Sequence, residues 1–111
     1  MDITEELQGN VAVLRPVGRI DNDSSLAFQE TLLHSIDTRE AALVDLSGVE
    51  FISSAGLAAL MTAAKSAKAK SRRIAVAALR PVVQEIFAIS RFSRVVPVYG
   101  TAAEAIAALN A

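Results

Sequence analysis

Short apolar runs alternate with segments whose apolar residues recur at helical spacing, and this alternation most narrows the folds open to the chain. Residues 41–46 and 73–79 are brief and almost continuously apolar, so they read as interior strands, the first of them buried on both faces. Leu57, Leu60, Met61 and Ala64 follow the first run at i, i+3, i+4, i+7 and predict a helix over 54–70. After the second run, Val83, Ile86, Phe87 and Ser90 share one helical face. Pro81 starts that helix, because its missing N–H costs nothing in a first turn. Earlier, Phe28, Leu32, Leu33 and Ile36 predict a helix over 24–35. Residues 3–7 and 11–17 are strand-like, and Gly9-Asn10 between them suits the positive φ of a tight hairpin. Residues 95–99 form a short strand whose Pro97 favours an edge, and Thr101 with Glu104 forms a capping box ahead of 105–109. The expected order is ββαβαβαβα. That is a single α/β domain over 1–111, with a mixed, mostly parallel sheet of about four or five strands, an antiparallel opening hairpin and about four helices.

Composition removes whole classes of chemistry. The hydrophobic share of 52% excludes a disordered tail. With 21 alanines against four phenylalanines and one tyrosine, much of that share suits close helix packing rather than a large ligand cavity. No cysteine is present, which rules out disulfide frameworks, thiolate zinc sites and cysteine nucleophiles. Net charge is −1, so there is no basic excess to neutralise a phosphate backbone, and direct nucleic-acid binding is not expected. His34 is the one histidine and has no second histidine at ligand spacing, so it reads as a surface or boundary residue. Neither a metal nor any other cofactor is expected. Nucleophile-elbow, P-loop and dinucleotide fingerprints are all missing, which argues against an enzyme. The start is acidic, unlike a signal peptide, and the most apolar stretch, 55–64, is about half the ~20 residues that cross a bilayer. A cytoplasmic protein without direct membrane contact is expected.

Two polar clusters are candidates for function. The first runs from Asp45 through Ser53, Ser54, Ala55 and Gly56 to Leu57: a strand end, a turn, an apolar pair, two serines and a helix start. Hydroxyls there lie among free backbone N–H groups at the positive end of the helix dipole, where a phosphate would find donors in place. One of the two serines can equally serve as a helix cap and nothing more. The second cluster is Asp21, Asn22, Asp23, Ser24 and Ser25. Asp23 or Ser24 can cap a helix, and Asp21-Asn22 can form a turn. Loops leaving parallel strands gather on one edge of a sheet, so the two clusters are expected to be neighbours. Asp21 could then bond a serine hydroxyl or help hold a metal–nucleotide brought by a kinase. The lysines of 63–70 read as a solvated last helical turn rather than a basic patch.

The segments Val17-Gly18-Arg19-Ile20-Asp21, Leu43-Val44-Asp45-Leu46-Ser47-Gly48-Val49 and Phe51-Ile52-Ser53-Ser54-Ala55-Gly56-Leu57 resemble the STAS domain. Bacterial anti-sigma factor antagonists and the tails of sulfate transporters share this domain, and the resemblance covers essentially the whole chain. It implies a binding module. An antagonist of this kind binds an anti-sigma factor that is also a serine kinase and so frees a sigma factor; phosphorylation of a serine before the central helix ends the complex, and a phosphatase restores it. In the family's common loop, Asp-Ser-Ser/Thr-Gly-Leu, the residue before the glycine takes the phosphate. Aligned on Gly56-Leu57, the aspartate falls on Ser53, the first serine on Ser54 and the acceptor on Ala55, which has no hydroxyl. Ser54, with Ser53 second, is therefore the expected phosphorylation site, unless the loop is not switched at all. Asp21 matches the family's aspartate after the second strand. The partner-binding residues implied are Asp21, Asn22, Asp23 and Ser24 with Ser53, Ser54, Ala55, Gly56 and Leu57.

A second reading is a non-switching STAS scaffold, such as a subunit of a lipid-transport ABC complex or part of a larger signalling assembly, and Ala55 favours it. A third is binding of a nucleotide or acyl chain at the loop edge, which no glycine-rich loop or aromatic platform supports.

Overall fold

The computed structural model describes all 111 residues. The chain opens with a hairpin of β1 (Asp2–Gln8) and β2 (Val11–Ile20), paired antiparallel, with Gly9 at φ +63° in the turn. α1 (Ser25–Thr38), β3 (Ala41–Asp45), β4 (Val49–Ile52) and α2 (Ser54–Ala69) follow. β5 (Arg73–Ala77), α3 (Pro81–Ser90), a 3-10 turn at Phe92–Arg94, β6 (Val98–Tyr99) and α4 (Ala102–Asn110) complete it. The sheet runs β1-β2-β3-β5-β6, with every pairing after the hairpin parallel.

Alternate residues of the strands face opposite sides of the sheet. Leu14, Ala42, Val44, Ile74 and Val76 face one way, into a core with Phe28, Leu32 and Ile36 of α1, Leu60 and Ala63 of α2, and Val83 and Phe87 of α3. Val11, Val13, Ala41, Leu43, Ala75 and Ala77 face the other way, onto Ala105 and Leu109 of α4. Each fully buried leucine, isoleucine or phenylalanine contributes about 1.5–3 kcal/mol. The alanines on the second face let α4 lie close to the sheet. α1 runs three residues beyond the expected Ser35, because Ser35 and Ile36 are both buried and the Ser35 hydroxyl donates to Glu5 Oε1 at 2.6 Å.

The sheet has six strands, one more than the upper expectation, and the addition matters for function. β4 pairs with the last residues of β2, so Gly18, Arg19 and Ile20 are strand rather than polar loop. β2 thus serves two partners along one edge: Val11–Leu14 pairs with β3, and Gly18–Ile20 with β4. The register shifts between Gly18 and Arg19, where Gly18 takes φ +107°. At the other edge, β6 is shorter than the expected 95–99, with Val95 and Val96 closing the 3-10 turn and Pro97 just before the strand. Thr101 accepts from the Glu104 N–H at 3.1 Å, as a capping serine or threonine should.

Candidate functional site

β2 and β4 end side by side, and the loops that leave them meet. Ile20 is in register with Ile52, and the Ser53 N–H donates to the Ile20 carbonyl at 2.8 Å. The chain then turns into α2 with Gly56 buried against both strands. A Cβ at Gly56 would lie 2.6 Å from Ile52 Cγ1 and 2.7 Å from Ile20 Cγ2, so no side chain fits there. The first turn of α2 therefore sits flush against the strand that leads into Asp21.

The two serines divide their roles. Ser53 is in extended conformation (φ −86°, ψ 174°), and its hydroxyl accepts from the Gly56 N–H at 3.2 Å, so Ser53 is the cap. Ser54 is the first helical residue and is exposed. Ala55 and Leu57 are half-buried, and Leu57 packs on the main core.

Asp21 organises the other loop. Its Oδ1 accepts from the N–H groups of Asp23 at 3.0 Å and Ser24 at 3.2 Å. The Ser24 hydroxyl accepts from the Asp21 N–H at 3.0 Å and lies 2.9 Å from the Arg19 carbonyl and 3.2 Å from Asp21 Oδ1. Partial desolvation pushes the Asp21 pKa up. The hydrogen bonds from Ser24 and Asp23, with the Arg19 charge, outweigh that and hold it below its ordinary value. Ser24 occupies the cap position of α1 without a side-chain cap bond, because its hydroxyl is turned into the loop. The serine hydroxyl beside Asp21 is that of Ser24 in its own loop, and not one from 53–54 as the sequence suggested. Asn22 and Asp23 are exposed; Ser24 and Ser25 are half-buried.

Three residues beside this edge were not legible as site residues. The Arg19 guanidinium lies 4.5 Å from the Phe51 ring centroid, across the β2–β4 pair. Arg80 Nε donates to the Ser47 carbonyl at 2.7 Å. The signal available was the Val49-Glu50-Phe51-Ile52 run, short but rich in strand-forming residues. An open groove of about 460 Å³, lined in part by Val17, Arg19, Asp21, Ser24 and Ala27, adjoins the loop. His34 is exposed on α1, and no three His, Cys, Asp or Glu side chains group so as to hold a metal. No helix is long and apolar enough to cross a membrane.

The family model described as "Mlab, STAS domain" matches residues 3–97. BtrV of Bordetella bronchiseptica, provisionally named an anti-sigma factor antagonist, is 30% identical over 94 residues, spanning 84% of this chain and 81% of that protein. The crystal structure of an anti-sigma factor antagonist from Mycobacterium paratuberculosis is 26% identical and superposes with a TM-score of 0.86 over 99% of this chain and 94% of its own. A Thermotoga maritima protein, provisionally given the same role, shares the fold with a TM-score of 0.91 at 19% identity, over 98% of this chain and 95% of its own.

Proposed function

This chain belongs to the STAS domain family, and from that premise we propose that it is a cytoplasmic anti-sigma factor antagonist, a binding protein with no reaction of its own. It docks an anti-sigma factor that is also a serine kinase, and so releases a sigma factor for transcription. The docking edge is the loop of Asp21, Asn22, Asp23 and Ser24 with the start of α2, from Ser53 through Ala55 to Leu57. The observation that carries this reading is the close seat of Gly56 against Ile20 and Ile52, which puts the start of α2 beside the strand that leads into Asp21.

Phosphorylation of Ser54 ends the complex, and a phosphatase restores it. Ser54 is exposed, whereas the Ser53 hydroxyl is occupied as the cap. A phosphate on Ser54 would lie beside the first N–H groups of α2, at the positive end of its dipole. It would add about −1.5 to −2 charges and repel an acidic or apolar partner surface. Incubation with the cognate kinase and ATP, followed by mapping with mass spectrometry, tests this. A single phosphate on Ser54, lost in Ser54→Ala, is the expected result; modification that persists in Ser54→Ala overturns the assignment.

Ala55 favours the second reading, a non-switching scaffold subunit of a lipid-transport ABC complex or larger signalling assembly, since the position that takes the phosphate in the family's common loop has no hydroxyl here. Affinity purification separates the two. Recovery of an anti-sigma factor kinase selects the switch, and recovery of an ABC ATPase without any anti-sigma factor selects the scaffold.

A further inference from the structure

The opposite end of the sheet, where the parallel strands begin, has a different chemistry. Arg39, Lys70, Arg72 and Arg73 line an open cleft of about 480 Å³ there, with Glu40 as the only acidic side chain on its wall. Two of these cations are anchored. Arg72 Nη1 donates to the carbonyls of Ile36 at 2.5 Å and Arg39 at 2.9 Å, and Arg73 Nη1 to those of Ala108 at 3.2 Å and Leu109 at 3.4 Å. These carbonyls close α1 and α4, where the negative end of a helix dipole favours a cation. Each guanidinium spends one nitrogen on the main chain and keeps further N–H groups for a ligand. Lys70 is ion-paired with Asp37.

Arg72, Arg73 and Leu109 also line a second cleft, of about 280 Å³, with Lys68, Pro97 and Tyr99. Most of that wall is apolar. A fixed cationic site and an apolar site thus share one boundary.

We propose that this end of the molecule docks an acidic segment of a partner protein that carries one apolar anchor residue. Carboxylates of the segment meet Arg39, Arg72 and Arg73, and the anchor lies against Leu109, Pro97 and Tyr99. Charge complementarity selects an acidic partner, and the neighbouring apolar wall selects a segment rather than a free anion. Neither cleft is enclosed, whereas an acyl chain needs a cavity that covers most of its surface. Single-stranded nucleic acid needs a series of stacking aromatics, and Tyr99 is the only ring in either cleft. The 16 residues of α2 place this site about 24 Å from Ser54, so occupation of one end leaves the other open. The inference does not depend on the anti-sigma factor reading.

The test is a titration of the ¹⁵N-labelled full chain with the synthetic peptide Glu-Glu-Glu-Leu-Glu-Glu-Glu. Shift changes are expected to cluster at 38–41, 68–73, 98–99 and 109. Affinity should fall at least tenfold in the double variant Arg39→Glu/Lys68→Glu, which reverses two of the charges lining the clefts, cancels their positive excess and keeps the main-chain anchors of Arg72 and Arg73. Changing the leucine of the peptide to serine should weaken binding at least threefold. Shifts confined to the start of α2, undiminished affinity in the double variant, or tighter binding of phosphatidylserine vesicles or oligo-dT than of the peptide would each overturn the proposal.

Discussion

Alanine at position 56 would set a methyl carbon 2.6 Å from Ile52 Cγ1, 2.7 Å from Ile20 Cγ2 and 3.2 Å from the Ile20 carbonyl oxygen. Carbon atoms normally approach to about 3.5–4.0 Å, so an overlap of roughly 1 Å must be relieved. Neither isoleucine atom is a flexible tip. Both sit one bond beyond a branched Cβ, in side chains 0% and 1% exposed, where χ1 is stiff. Relief has to come from displacement of α2 away from β2 and β4. Overpacking of this kind costs about 1–3 kcal/mol. Glycine to alanine inside a helix returns at most about 1 kcal/mol, and less in a first turn. The net expectation for Gly56→Ala is a loss of about 1–2 kcal/mol. With a urea m-value of about 1.5 kcal/mol/M, the midpoint should fall by roughly 1 M. Parallel urea titrations of parent and variant, followed by far-ultraviolet circular dichroism, measure this directly. The displaced first turn should also weaken anti-sigma factor docking. A midpoint equal to or above that of the parent would mean that the contact yields freely, and the fixed joint between the two loops would have no basis.

Ser53→Ala removes the acceptor for the Gly56 N–H and should cost about 1 kcal/mol, while Ser54→Ala should stay within about 0.5 kcal/mol; urea midpoints compare them. Phe28→Ala empties a fully buried core position and should cost about 3–5 kcal/mol in the same assay. Asp21 has a folded-state pKa below the ordinary 3.8, so its ionised form stabilises the fold at neutral pH, and that contribution fades as pH falls through the depressed value. Asp21→Asn should therefore be less stable than the parent at pH 7 and converge with it in acid, as read from midpoints across that range. Ala55→Ser restores a hydroxyl at the position before Gly56, and under the proposed switch mass spectrometry should find the cognate kinase modifying residue 55 in that variant.

The strong apolar runs made most of the fold legible. Residues 41–46 and 74–77 are buried on both faces, so their hydrophobicity is continuous and their strands were readable. β4 was not, because it has four residues with exposed Glu50 among them, and half-buried Phe51 reads as an isolated aromatic. The end of β2 was obscured for a related reason: Gly18 and Arg19 look like loop residues until their pairing partner is known. The serine pair illustrates a different limit. Adjacent serines at a helix start are equivalent in sequence, and only backbone conformation decides that Ser53 caps and Ser54 is left exposed. The basic cleft was hidden by distance along the chain, since Arg72 reaches back 33 residues to the Arg39 carbonyl.

The tightness of the α2 start also bears on how a modification there would act. A phosphate can work by reshaping a segment or by changing the surface it presents. Reshaping requires a segment with a second arrangement within reach. Here Gly56 is wedged between two buried isoleucines, Ser53 is tied to Ile20 on one side and to Gly56 on the other, and Leu57 is seated on the core. The opposing loop is closed in the same way by the hydrogen bonds around Asp21 and Ser24. Neither segment has slack. A charge added at exposed Ser54 would therefore alter the proposed docking edge without moving it, and the backbone of 21–25 and 53–57 should be superposable in modified and unmodified forms. Amide shift changes on phosphorylation should accordingly stay within the first turn of α2 and the facing loop, with β3, β5 and α4 unmoved. Changes spread through the sheet would instead require a conformational switch and would reject a purely electrostatic release.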